Sequence, residues 1–147
     1  MPKYWFDEYG IFISPEPIDP QNPSGSGVYA LIMELKSGET PSWVVHKWNA
    51  LNRSSRTVLN RGLESDYFIQ LPRIFNRFRI TRTGDTITFW ISHQSKASTD
   101  WKSVHSFTDS NLPSTFYVGV YAQHSKDDLG NYVIEFQYDY VDLSAWP

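Results

Sequence analysis

The sequence predicts an all-β protein, an antiparallel sandwich of two sheets. Short runs of alternating apolar and polar residues recur roughly every 8–12 residues, and clusters of Gly, Pro, Asn and Asp separate them. No segment places apolar residues at the 3.6-residue spacing of an amphipathic helix. Aromatic residues, which favour strands, make up 16% of the chain. Together these three observations indicate a sandwich or jelly roll.

Length and charge narrow the classes of function. A chain of 147 residues corresponds to one domain with its own core. The net charge of -3 argues against a nucleic-acid binder, which usually carries a basic patch. There is no cysteine, so disulfides and thiolate metal sites are excluded. No apolar run is as long as a membrane span, and the first residues lack a signal-peptide pattern. We therefore expect neither nucleic acid nor membrane as a partner.

The first half of the chain alternates between strands and breakers. Residues 4–13 are apolar and interrupted by Gly10, which predicts one or two short strands or an edge segment. Residues 14–27 hold four prolines and two glycines and are predicted to be a loop. We therefore assign residues 1–27 to an N-terminal strand and loop, and residues 28–147 to the sandwich, within one domain. Further strands are predicted at residues 28–36, which are apolar on both faces, and at residues 43–49, 54–61 and 64–70.

The clearest element is a hairpin between residues 77 and 92. Two runs with period-2 alternation flank the turn Gly84-Asp85, a strong hairpin signal. A third strand is predicted to follow from Asp100, after a polar loop. The inward residues are large and apolar, whereas the outward face carries Trp90. Exposed tryptophan is often retained for binding, so this face is a candidate site.

The last third predicts two more strands. Residues 115–124 place Phe116, Val118, Val120 and Ala122 on one face. The other face carries Tyr117, Gly119, Tyr121 and Gln123. Residues 131–143 also alternate and predict a closing strand.

Several motifs between residues 79 and 122 resemble a known group of domains. They are RITRTGD at residues 79–85, FWIS at 89–92, Trp101, Phe107 and VGVYA at 118–122. Together they resemble small concanavalin-A-like sandwich domains related to the C-terminal domains of β-xylosidases and to laminin-G-type lectin domains. The similarity covers residues 77–143, with weaker agreement from Val28. The D-G-x-x-W turn of that group is replaced by KASTDW at residues 96–101.

The resemblance implies a two-sheet jelly roll that acts as a carbohydrate-binding or accessory domain, usually without a catalytic centre. It also favours an extracellular location, which the residues themselves do not specify.

The first functional hypothesis is a glycan platform. If the strand from Thr115 lies in the same sheet as the hairpin, one face combines aromatic rings with planar polar groups. Rings cover the apolar face of a sugar, and Arg or Gln groups bind its hydroxyls. The predicted ligand-binding residues are Arg79, Thr88, Trp90, Tyr117, Tyr121 and Gln123. Alternatively this face is covered by a loop or a partner protein, and the domain is structural.

The second hypothesis is a polysaccharide lyase. Residues 119–123, GVYAQ, look like part of the Y-F-K-A-G-x-Y-x-Q strand of jelly-roll alginate lyases. That likeness casts Tyr121 and His46 as acid and base, beside Arg79 and Gln123. However, the family's Gln two residues before the histidine is absent here. Its R-S-E-L strand is matched only by Glu34-Leu35.

Two further hypotheses rest on carboxylates. Glu135 on the last predicted strand suggests a retaining glycosidase, but no second acid is placed to work with it. The turn at residues 127–131 offers oxygen ligands for a structural calcium ion, although it lacks the ligand spacing of a dedicated loop. The remaining histidines, His93, His105 and His124, lie on separate segments and predict no metal site. We therefore predict no cofactor.

Overall fold

A computed structural model describes residues 6–18, 27–36, 38–48, 56–69 and 74–125. These ranges form two antiparallel sheets, and they contain no helix, hence none that could cross a membrane. The prediction of an all-β, two-sheet sandwich is confirmed. The strands are β1 (Phe6–Ser14), β2 (Val28–Lys36), β3 (Ser42–Trp48), β4 (Arg56–Leu63), β5 (Asn76–Thr83), β6 (Thr86–His93), β7 (Lys102–Thr108) and β8 (Tyr117–Ser125).

The larger sheet has five strands in the order β4-β3-β2-β1-β8. Thus β1 is not peripheral to the sandwich but lies between β2 and β8. Of the alternatives predicted for this stretch, a single strand is confirmed, because β1 runs through Gly10 without interruption. A Cβ atom at Gly10 would lie 2.2 Å from the carbonyl oxygen of Leu31. Glycine at this position therefore allows the two strands to approach closely rather than ending the strand.

The smaller sheet, β5-β6-β7, is the predicted meander. Thr83 pairs with Thr86 across the turn, and Gly84 has a φ of 58°. A side chain is disfavoured in that region, so glycine is required by the turn. The pairing of β6 with β7 shifts register between Phe89 and Trp90. Such a bulge adds local twist to the sheet.

The core lies between the two sheets. Strand β5 lies over β1 and β2, while β7 lies over β4. Ile87, Phe89 and Ile91 project from β6 into this space, as the alternation predicts. The buried members of the core are Ile13, Tyr29, Leu31, Met33, Trp43, Val45, Phe68, Ile87, Phe89, Ile91, Val104 and Phe116.

Two predicted strands have a different outcome. The strand predicted at residues 64–70 is absent from its described part, residues 64–69: Ser65 and Phe68 make an isolated bridge within a turn, and Phe68 is buried in the core. Phe68, one of the apolar residues in the predicted strand, thus packs into the core from a turn. The closing strand predicted at residues 131–143 lies outside the described residues.

The outer face of the five-stranded sheet is also buried. Strand β2 is apolar on both faces, as predicted for a central strand. Val28, Ala30 and Ile32 face away from the three-stranded sheet, together with Val44 and Trp48. Phe12, Ile18 and Tyr121 pack against this second cluster. The central strands β2 and β3 are therefore buried on both faces.

Candidate functional site

The structure divides the predicted glycan platform between two sheets. Arg79, Thr88 and Trp90 lie on the three-stranded sheet, whereas Tyr117, Tyr121 and Gln123 lie on β8 of the five-stranded sheet. The prediction that all six residues share one sheet face is wrong, because β8 pairs with β1 of the five-stranded sheet along its whole length. Two separate groups of candidate residues result.

The first group is the open platform, the outward face of the three-stranded sheet. It presents two tryptophans, an arginine and a row of hydroxyl groups. Its members are Arg79, Thr81, Thr86, Thr88, Trp90, Trp101, Ser106 and Thr108. Trp101, just before β7, contributes through its ring, since the guanidinium carbon of Arg79 lies 4.0 Å from the ring centroid. Trp101 was not among the predicted binding residues, although the resemblance included it.

Hydrogen bonds order the open platform. The indole Nε1 of Trp90 donates to Thr81 Oγ1 at 2.8 Å, which fixes the half-buried ring on the sheet. The hydroxyls of Thr86 and Thr108 lie 2.8 Å apart, and those of Thr88 and Ser106 lie 3.0 Å apart. Each such pair is a cross-strand contact that also stabilises the sheet. The face is thus polar and aromatic, with several of its side chains held by hydrogen bonds.

The second group is the buried polar cluster, on the outer face of the five-stranded sheet. At its centre Arg56 Nη1 lies 2.8 Å from both carboxylate oxygens of Glu8. Arg56 Nη2 donates to the hydroxyl of Tyr121 at 2.6 Å, and that hydroxyl lies 3.1 Å from Glu8 Oε2. Tyr121 also hydrogen-bonds to Gln123. Below them Trp48 supports the guanidinium of Arg56, with 4.5 Å from Arg56 Cζ to the ring centroid. Four strands thus meet in one network.

Glu34 and His46 form the other half of the buried polar cluster. Glu34 faces Arg61 at 3.0 Å and Lys36 at 3.6 Å, and His46 Nε2 lies 3.5 Å from Glu34 Oε1. Burial raises the pKa of the Glu34 carboxyl, but His46, Arg61 and Lys36 outweigh that effect and hold the pKa below its usual value. Glu34 is therefore ionised at neutral pH.

A metal ion does not suit this cluster, although one atom each of Glu8, Glu34 and His46 lie within 4.8 Å of one another. Both carboxylates already face guanidinium groups, from Arg56 and Arg61. A divalent cation would have to displace these cations or bind beside them, at a large electrostatic cost. The cluster has no excess of negative charge, because two carboxylates face three cationic side chains. These cations are Arg56, Arg61 and Lys36.

Three of the four residues predicted for a lyase come together here. Tyr121 and Gln123 belong to the hydrogen-bonded network, and His46 lies beside Glu34. Arg79 lies on the other sheet, and Arg56 is the guanidinium that contacts Tyr121. Sequence reasoning missed Arg56, because nothing in its local pattern shows that β4 and β8 bring it to Tyr121.

The other predicted sites have simpler outcomes. His93 Nε2 lies 2.9 Å from the carbonyl oxygen of Asp66, a structural contact. His105 packs beside Phe89, and burial lowers the pKa of its imidazole. Glu135 and the calcium turn at residues 127–131 lie outside the described residues.

Comparison of the chain with family models, curated proteins and solved structures gives no match. The open platform and the buried polar cluster are therefore the features of this chain that bear on its function.

Proposed function

We propose that this chain is a carbohydrate-binding β-sandwich protein of concanavalin-A-like jelly-roll type, without catalytic activity, and that the open platform is its glycan site. The observation that carries the proposal is the stack of Arg79 on Trp101 beside Trp90, on a sheet face lined with hydroxyls. The open platform combines an aromatic surface with planar and hydroxyl donors, as sugar sites do.

The chemistry of a sugar matches this arrangement. A pyranose ring has an apolar face of C–H groups that packs on indole rings. Its rim of hydroxyls both donates and accepts, and it can exchange hydrogen bonds with Thr88, Ser106 and the guanidinium of Arg79. Because Trp90 is held by Thr81, little side-chain entropy would be lost on binding.

The first prediction concerns Trp90. Trp90→Ala removes the fixed aromatic surface, so retention on the polysaccharide that the wild type binds should fall at least about tenfold, as for an interface anchor. The measurement is a pull-down with insoluble polysaccharides and a glycan array. The melting temperature should change little, since Trp90 lies outside the core clusters.

The matched control is Tyr117→Ala, an aromatic residue that is 51% exposed on the other sheet. It should leave retention unchanged if the open platform is the site. Equal loss in both variants, or retention unaffected by Trp90→Ala, would contradict the proposal. A wild type retained on no glycan would favour a protein-interaction or structural domain.

A polysaccharide lyase at the buried polar cluster is a second candidate function. The observation in its favour is that Tyr121, Gln123 and His46 share one sheet face with Arg56. Two facts weigh against it. The pKa of Tyr121 is raised, so the phenolate needed as a base is scarce at neutral pH. Arg56, which would neutralise a uronate, is already bound by Glu8.

The test for a lyase is the ultraviolet absorbance of unsaturated uronic acids when uronate polymers are added. Product formation that Tyr121→Phe abolishes would establish the lyase. No product from the wild type would leave the buried polar cluster as a structural network.

A further inference from the structure

Two arginines of β5, Arg77 and Arg79, lie on the outward face of the three-stranded sheet, and the guanidinium of Arg79 is the one available to a ligand. The side chain is exposed and stacks on Trp101, but it makes no hydrogen bond or ion pair with the residues that the structure describes. An arginine in this state keeps its five N–H donors for a ligand.

The neighbouring Arg77 shows the contrast. It projects from the same strand, two residues earlier, and also lies near Trp101, at 5.1 Å. However, its Nη2 donates to Ser92 Oγ at 2.8 Å and contacts the carbonyl oxygens of Lys96 and Ala97 at 3.2 and 2.9 Å. Arg77 therefore fastens the loop between β6 and β7 to the sheet. Arg77 therefore has a structural role, whereas the guanidinium of Arg79 is available to a ligand.

The chemistry of a free, stacked guanidinium favours an acidic ligand. Its planar fork matches the two oxygens of a carboxylate or a sulfate, and charge-assisted bonds of this kind are about twice as strong as neutral ones. Stacking on Trp101 holds the plane in place before the ligand arrives and shields one side of it from water. A neutral sugar hydroxyl would use only part of this capacity.

The net charge of the chain bears on how a preference for acidic ligands could arise. At a net charge of -3 the protein does not attract polyanions in general. Among the described residues, the ion pairs involve Glu8, Glu34 and Glu39, all on the five-stranded sheet or its turn, and none reaches the open platform. Preference for an acidic chain would therefore have to come from a local group.

We propose that the open platform recognises acidic glycans, chains bearing carboxylate or sulfate groups, and that Arg79 binds the acidic group while Trp90 packs on an adjacent sugar ring. This inference rests on the proposed function and adds the class of ligand. Carboxylate and sulfate share the required geometry, so the experiment distinguishes them.

The experiment compares matched polymers in affinity electrophoresis. Dextran, carboxymethyl dextran and dextran sulfate have one backbone, and hydroxyethyl and carboxymethyl cellulose provide a second. The wild type should bind at least one acidic polymer about tenfold or more tightly than its neutral counterpart, as expected for a charge-assisted bond. The preferred acidic polymer identifies the group.

Three variants locate the preference. Arg79→Gln should reduce the ratio of acidic to neutral affinity to near one. Arg79→Lys should lose most of it, because lysine keeps the charge but lacks the planar fork. Lys102→Gln removes the same charge from an exposed residue that opposes Ile91, on the other face of the sheet, and should leave the ratio unchanged.

The outcomes separate this inference from the function on which it rests. Equal binding of neutral and acidic polymers, or a preference that persists in Arg79→Gln, would overturn the inference and leave glycan binding in place. A loss of the ratio in Lys102→Gln as large as in Arg79→Gln would also overturn it, because general charge would then explain the preference. Binding to none of the polymers would overturn both.

Discussion

The hydroxyl of Tyr121 lies between a carboxylate and a guanidinium, at 3.1 Å from Glu8 Oε2 and 2.6 Å from Arg56 Nη2. Burial and the charge of Glu8 favour the neutral phenol, and Arg56 opposes them only in part. The pKa of Tyr121 is therefore raised from 10.0 to about 12. At neutral pH the side chain is an uncharged donor within the network, which suits a structural role on this face.

This pKa predicts how stability depends on alkaline pH. Because the pKa is higher in the folded state, the unfolded chain loses the Tyr121 proton first as the pH rises. The contribution of Tyr121 to the free energy of unfolding is thus present below pH 10 and decreases as the pH approaches about 12. Urea unfolding at a series of alkaline pH values measures it.

The variant for this titration is Tyr121→Phe, which should make the alkaline loss of stability shallower than in the wild type. Equal slopes in wild type and Tyr121→Phe would show that the phenol is not coupled to Glu8 and Arg56.

At the scale of elements, close approach between strands depends on particular glycines. In the pairing of β3 with β4, Gly62 lies opposite Trp43. A Cβ atom on Gly62 would come within 2.2 Å of the indole carbon Cζ2. Trp43 is a buried member of the core. The absence of a side chain at Gly62 thus allows β4 to lie at the edge of the sheet over a tryptophan.

We therefore expect Gly62→Ala to destabilise the protein by about 1–3 kcal/mol, the usual cost of overpacking a core. Denaturation in urea gives the change. Gly38→Ala is the control: its φ of 77° disfavours alanine, but nothing lies within 4 Å of the added atom. That variant should lose about 1–2 kcal/mol. Wild-type stability of Gly62→Ala would refute the packing of Trp43 against this position.

At the scale of the molecule, the two sheets differ in width. Strand β5 lies over β1 and β2 of the larger sheet. Ile13 on β1 and Val118 on β8 are direct neighbours with side chains on the same face. Ile13 is nevertheless 1% exposed and Val118 44% exposed. The edge of the core therefore lies between β1 and β8.

This boundary predicts unequal effects for neighbouring substitutions. Ile13→Ala should cost about 2–5 kcal/mol, because it removes methylene groups from the packed core. Val118→Thr should change the free energy of unfolding by less than about 0.5 kcal/mol, as for a surface position. Thermal and chemical unfolding measure both. A loss at Val118 that approaches the loss at Ile13 would mean that the core extends over β8.

Features that depend on near neighbours in the chain could be predicted from the sequence. The hairpin of β5 and β6 follows from period-2 alternation around a turn with glycine, and the burial of Ile87, Phe89 and Ile91 follows from the same alternation. It also placed Arg79, Thr88 and Trp90 on one face. The pairing of these strands involves a two-residue turn, so local pattern was sufficient.

The sheet that each strand joins could not be predicted and is known from the three-dimensional structure. Alternation shows that Tyr121 and Gln123 share a face of β8, but it does not specify the partner of β8. That partner is β1, more than a hundred residues earlier in the chain, where Glu8 opposes Gln123. The same long-range pairing brings Arg56 to Tyr121 and separates both from Trp90. Side-chain periodicity is a local property, whereas strand order depends on contacts between distant segments, and for that reason the sequence predicted the faces but not the sites that they form.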